Sequence, residues 1–245
     1  MGSEMCIRDR PSLTDVKQEP RPEARAALGR ALGRLGLDDR KGVGLLDKLP
    51  DIDWVRIPGG SFVYQDGERQ KVDTFYVARY PVTNAQYNAF LQALDGYADD
   101  RWWAGLTEPD RSQDRPRWSE PNHPRETVSW YEAMAFCGWL SQRLGYEVRL
   151  PTEEEWERAA RGTDGREYPW GGRYESGFAN INEIGGDAGP HFLERTSAVG
   201  IYPQAASAEG VMDLAGNVWE WCLNEFDNPI WQPRRDDVSR VLRGS

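Results

Sequence analysis

Three times this chain opens a helix with the same four-residue start signal, and each time the helix has little room to run. In a capping box, a Ser or Thr side chain accepts from the backbone N–H three residues on. A Glu or Gln at that later position reaches back to the first residue's own N–H, so two donors without intrahelical partners are satisfied together. The pattern stands at Thr83 with Gln86 in "PVTNAQYNAFLQAL", at Ser129 with Glu132 in "TVSWYEAMAFCGWLSQRLG", and at Thr152 with Glu155 in "RLPTEEEWERAARG". Apolar spacing predicts inward faces of Tyr87, Phe90, Leu91 and Leu94 on the first helix. It predicts Trp130, Ala133, Met134, Cys137 and Leu144 on the second, and Trp156 and Ala160 on the third. Gly145 and Gly162 mark the last two stops. Ahead of them, "DWVRIPGGSFVY" reads as strand, Pro-Gly-Gly turn, strand from Trp54 to Tyr64, and "KVDTFYVARYPV" gives a further strand around Phe75 to Val77.

Short capped helices, short strands and 25 Gly with 16 Pro in 245 residues describe a compact, loop-rich α+β domain. A net charge of −10 disfavours nucleic acid or an anionic membrane surface as partner and suits hard cations. No apolar run approaches the roughly 20 residues of a membrane span, and no signal-peptide pattern opens the chain. Three cysteines without a CxxC, and two histidines, argue against a zinc site or a disulfide framework, which makes the cytoplasm the expected compartment.

Three stretches organise the chain. Residues 1–10, "MGSEMCIRDR", share no pattern with the rest of the chain and read as a non-native segment, Cys6 included. Residues 11–50 read as a helical linker or the tail of a lost upstream domain, with a helix over Ala24 to Leu35 carried by Leu28, Leu32 and Leu35 and stopped by Gly36. Residues 51–245 form the body, which breaks off after the β-like "DDVSRVLRGS" and is read as incomplete at its C-terminus. Two features there invite functional over-reading. Glu153, Glu154 and Glu155 complement the positive end of a helix dipole, which explains them without a metal. Cys137 lies on an apolar helix face and reads as a packing thiol or half of a disulfide.

The run "GVMDLAGNVWEWC", Gly210 to Cys222, is different. If Val218 to Trp221 is extended, Trp219 and Trp221 share one face, where they can be buried, and Val218 and Glu220 share the other. Glu220 then either makes a salt bridge or caps an amide, with Asp213 a turn residue, or it points to a cation.

Taken in order, "WVRIPGGSF", "YPVTNAQYNAF", "HPRETVSWYEAMAFCGWLS", "RLPTEEEWERAARG", "YPWGG", "FANIN" and "GVMDLAGNVWEWC" closely resemble the formylglycine-generating enzyme, or sulfatase-modifying factor, family from about Asp53 to Ser245. The resemblance implies a C-type-lectin-like α+β fold with little regular secondary structure and two calcium sites. It places ligands of the first at Asp213 and Glu220 by side chain and at Gly216 and Val218 by carbonyl; Ca²⁺ takes six to eight such oxygens. Asn180 and Ile181 match part of the second, for which Asp187 is the remaining candidate. Catalytic members use copper and a cysteine pair that follows an "RVLRGGSW"-like strand to oxidise a substrate cysteine to formylglycine. This sequence stops at "RVLRGS", so no catalytic residue is assigned, and copper enters only with a cysteine pair beyond Ser245. Cys137 matches a position that in some members forms a structural disulfide.

Three functions are compatible with this reading. The first is the front part of a copper-dependent, formylglycine-generating oxidase. The second is a non-catalytic module binding a protein or peptide ligand within a larger bacterial protein. It is favoured by the helical segment before Asp51 and by "GYADDRWWAGLTEP", whose Trp102 and Trp103 otherwise read as core aromatics under a loop. The third, iron-dependent sulfoxide synthesis as in ergothioneine-pathway relatives, needs an additional His-bearing domain that two isolated histidines do not provide.

Overall fold

The computed structural model describes residues 13–106, 111, 113–182, 191, 193–225 and 240–244. The segment 1–10 with Cys6, and the candidate Asp187, lie outside them. Helix α1 (Pro22–Leu35) has Pro in its first turn and ends on Gly36 at φ 65°. The leucine spacing misjudges its buried side: Leu28 and Leu32 are half-buried and Leu35 is exposed. The helix docks instead through its smallest residues. Ala26 packs with Leu13 against Ala198, Ile201 and Tyr202. A Cβ on Gly29 would stand 2.7 Å from Ala198 Cβ, and one on Gly33 2.2 Å from Asn122 Oδ1. Arg25 is fully buried and donates from Nε to the Ile201 carbonyl at 2.9 Å.

Next come the short hairpin of β1 (Leu45–Leu46) and β2 (Leu49–Pro50), then β3 (Trp54–Ile57), β4 (Gly60–Tyr64), β5 (Glu68–Val72) and β6 (Phe75–Ala78). The Pro-Gly-Gly element is not a hairpin turn. β4 pairs with β5, and β3 with β6 (Trp54 opposite Ala78, Ile57 opposite Phe75), so one long antiparallel ribbon is interrupted at Pro58 and Gly59. Pro cannot donate to a ladder, and a Cβ on Gly59 would meet Thr74 N at 2.6 Å.

The remaining elements are α2 (Asn84–Gln92), α3 (Trp130–Leu144), α4 (Glu153–Arg161), and the antiparallel pair β7 (Glu220–Glu225) and β8 (Arg240–Arg243). All three capping boxes form with both reciprocal hydrogen bonds. One core cluster joins β3, α4 and β7 through Ile57, Trp156, Ala159, Leu214 and Cys222. A second joins α2 and α3 through Tyr87, Phe90, Phe136, Trp139 and Leu140, with Tyr97 and Trp103. Leu94 is fully exposed, because α2 ends at Gln92 and Ala93 is extended. On α3, Phe136, Trp139 and Leu140 carry the burial, and Ala133 and Met134 only flank it.

Candidate cation site and its surroundings

The segment from Asp213 to Val218 is a turn that few sequences can make. Asp213, Gly216 and Asn217 have φ of 59°, 88° and 70°. Gly takes this left-handed region freely, and Asn and Asp visit it more readily than other residues, so "DLAGN" suits the path. The Gly216 N–H bonds the Gly244 carbonyl, Asn217 N–H bonds Asn180 O at 2.9 Å, and Val218 N–H bonds Gly216 O at 2.9 Å. Gly216 bridges Asn180 in parallel. A Cβ there would stand 2.5 Å from Ile181 Cγ2 and 2.6 Å from Asn180 O. The structure therefore brings Asn180, Ile181 and Gly216 into one contact.

Asp213 is buried, and its Oδ2 accepts the Gly200 N–H at 2.6 Å. Burial pushes its carboxyl up to about 6, opposed by that amide and by the Arg40 charge. Burial pushes Glu220 further, to about 8; the nearby Trp156 indole opposes this and the Asp213 charge adds to it. Trp156 Nε1 does not reach full hydrogen-bond geometry, and Glu220 Oε1 is a buried oxygen without a hydrogen-bond partner among the described residues. Glu220 Oε1 and the Val218 carbonyl border the same gap, 3.8 Å and 2.9 Å from where a Cβ on Gly244 would stand. Asn180 is committed differently: its side chain donates to Arg195 O at 2.7 Å and accepts from Leu193 N at 3.4 Å, holding that segment.

The chemistry of this set suits a hard cation. Two carboxylates near one another out of water are costly unless a positive charge compensates them. A carboxyl oxygen without a partner among the described residues, beside a backbone carbonyl, is an arrangement Ca²⁺ accepts. Among the described residues no three His, Cys, Asp or Glu side chains group around a common point, so an ion there would draw its further ligands from carbonyls, amide side chains or water. Asp213 also serves as the turn residue that the alternative reading expected.

The tryptophan alternation holds, but with its faces reversed. Trp219 is 59% exposed and Trp221 half-buried, its Nε1 donating to Val128 O at 2.8 Å. Cys222 is fully buried in the core. Residues two apart in a strand share a face, and Cys222 therefore fixes Glu220 inward and sends both tryptophans outward. Burial raises the thiols of both described cysteines, Cys137 to about 12 and Cys222 likewise upward, so neither is an activated nucleophile. They are free thiols in different clusters.

Between those two clusters lies a cavity of about 670 Å³, lined by Phe136, Leu140, Val211 and Glu220 and edged by Trp54, Tyr146 and Trp219. Trp54 Nε1 donates to the Tyr146 hydroxyl at 2.8 Å across 92 residues of sequence. Sequence reasoning missed this cavity, since its walls come from elements that local periodicity treats separately.

The fold is that of a loop-rich α+β domain with short helices and short strands. Residues 47–245 match the sulfatase-modifying factor enzyme 1-like domain, and the chain belongs to that family. It is 36% identical over 209 residues to a hercynine oxygenase of Mycolicibacterium thermoresistibile, covering 71% of this chain and 44% of the relative. A formylglycine-generating enzyme of Thermomonospora curvata is 31% identical, with 76% of each chain covered. An inactive C-alpha-formylglycine-generating enzyme 2 of Mus musculus is 32% identical, covering 78% of this chain and 73% of the relative. The chain spans about half or less of the length of the hercynine oxygenases it matches, 44%, 53% and 37%. Among solved structures, PvdO from Pseudomonas aeruginosa aligns with a TM-score of 0.55 at 25% identity, over 80% of this chain and 77% of that one. No helix among the described residues is long and apolar enough to cross a membrane.

Proposed function

We propose that this domain is a non-catalytic module that binds an apolar stretch of a protein or peptide ligand, on a scaffold pinned by a structural Ca²⁺, in a larger bacterial, cytoplasmic protein. The observation that carries the reading is the apolar cavity with aromatic side chains at its mouth, among them Trp219 at 59% and Tyr146 at 49% exposure. Exposed aromatics beside an apolar recess mark binding surfaces in soluble proteins. The buried, high-pKa thiols of Cys137 and Cys222 do not fit a copper-binding thiolate pair, which needs accessible, deprotonated sulfur. A family member named as inactive gives the non-catalytic reading a precedent.

For Ca²⁺ the fit rests on the orphan Glu220 oxygen. Glu220, the carbonyls of Val218 and Gly216, and Asp213 would hold the ion, with Asn180 and Ile181 supplying part of a second set. The ion would tie the 213–220 turn to the start of β7. Two experiments test the reading. Trp219→Ala is expected to weaken binding to an apolar, aromatic-containing peptide panel about tenfold, in line with loss of one interface aromatic, and unchanged binding rejects the cavity mouth. Excess Ca²⁺ over chelator is expected to raise the melting temperature in the parent and not in Glu220→Gln. At 100 times Kd such binding adds about 2.7 kcal/mol.

A catalytic reading, as part of a copper-dependent formylglycine-generating oxidase, is favoured by one observation, the 31% identity to a relative of that name over 76% of both chains. Aldehyde formation on a cysteine peptide, with Cu and oxygen supplied to a chain that continues past Ser245 through a cysteine pair, would establish it over the binding module.

A further inference from the structure

Helix α1 and the residues after it lie outside the matched family segment, yet they reach the Asp213 turn through a continuous series of buried and half-buried polar contacts. Gly33 leaves room for Asn122, whose Nδ2 donates to Gly29 O at 2.8 Å and to Asp38 Oδ2 at 2.7 Å. Asp38 holds Arg40 in a two-pronged pair, Nε to Oδ1 at 2.8 Å and Nη2 to Oδ2 at 2.7 Å. Arg40 Nη1 then donates to the Val199 carbonyl at 2.7 Å, and the Val199 N–H returns to the Asn122 carbonyl at 3.0 Å. The next amide, Gly200 N–H, is the one that binds Asp213 Oδ2. Gly200 is at φ 71°, with the Tyr80 ring where its Cβ would be, 2.4 Å away. Arg40 lies over that same ring, 5.9 Å from its centroid.

We propose that the Asp38–Arg40 pair, carried into the domain by α1, is a positioning device for the Asp213 turn: it fixes the Val199–Gly200 backbone, and the Gly200 amide in turn fixes the Asp213 carboxyl. The geometry explains why a charged pair sits there. A neutral side chain could fill the space, but only a planar fork with several donors satisfies a carboxylate on one side and a carbonyl on the other. Asp38 is 4% exposed and Arg40 20% at the side chain. In this setting, removing one partner leaves an unpaired group in a poorly solvated place, and the backbone it held moves to compensate.

Amide hydrogen exchange on the full chain tests this, and the test does not depend on whether Ca²⁺ binds. The readout is the exchange rate of Gly200 relative to Leu140, a fully buried residue of α3 in the other cluster. Arg40→Met and Asp38→Asn are expected to accelerate Gly200 at least tenfold more than Leu140. Arg40→Lys keeps the charge but cannot engage Asp38 in two prongs and Val199 O together, so it should fall between parent and Arg40→Met. If either severe variant fails to fold, Arg40→Lys alone decides, because its effect is graded. Gly200 and Leu140 accelerating by the same factor in all folded variants would mean a general loss of stability and overturn the assignment.

Discussion

Gly216→Ala isolates the tight contact on which the candidate site is built. An L-residue at φ 88° costs about 1 kcal/mol or more relative to Gly. Crowding adds to this. The new methyl would lie 2.5 Å from Ile181 Cγ2, 2.6 Å from Asn180 O and 2.9 Å from Asn180 C. Ile181 could rotate, but the Asn180 carbonyl is held by Asn217 N–H at 2.9 Å, and moving it sacrifices a hydrogen bond worth about 1 kcal/mol. Overpacking of this kind costs about 1–3 kcal/mol. The sum is about 3–5 kcal/mol, measurable as a lowered denaturation midpoint in urea with an unchanged slope. Gly145→Ala is the control: φ is 75° at the end of α3, and nothing lies within 4 Å of its would-be Cβ, so only the conformational cost of about 1 kcal/mol remains. Equal losses at the two positions would refute the crowding argument, and with it the close apposition of Gly216 to Asn180 and Ile181.

Glu157→Gln is expected to cost about 3 kcal/mol in the same assay, because Glu157 is buried, accepts from Gln65 N at 2.5 Å, and pairs with Arg161 at 2.5 Å and Arg243 at 2.8 Å. Thr152→Ala should cost about 1 kcal/mol as a lost cap. Thr83→Ala should cost about twice that, since Thr83 Oγ1 also donates to Val43 O at 2.7 Å; identical losses would deny the second bond any weight. His123 is fully buried, and desolvation lowers its pKa from 6.5 to about 4, with Arg195, Arg30 and Arg34 acting the same way and Glu120 against. The unfolded chain then binds a proton that the folded chain refuses, so stability is present above about 6.5 and declines as pH falls towards 4, at about 1.4 kcal/mol per pH unit where the difference is one proton. Denaturant titrations at several pH values, compared with His123→Gln, should show the slope reduced in the variant.

Local signals were legible where the physics was local. All three capping boxes could be read because each is a closed exchange between residues three apart. The left-handed turn at Asp213 to Asn217 could be suspected from its Gly and Asn. Leucine spacing failed on α1 because close packing against Ala198 and Asn122 selected Gly29 and Gly33. The same limit applied to the tryptophans: period two in a strand says which residues share a face but not which face is inside, and Cys222 settled that.

By itself, then, the sequence determined the starts of the three capped helices, the loop-rich α+β class and the family. Tertiary structure alone decided that Glu220 faces inward with an oxygen unpartnered among the described residues, that β3 pairs with β6 across the interrupted ribbon, and that Arg40 stands behind the Asp213 turn. The division has one physical cause. Caps, turns and alternation are set by groups a few residues apart, whereas burial and long-range contacts depend on which distant parts of the chain meet, as Arg40 meets the Val199 carbonyl across 159 residues.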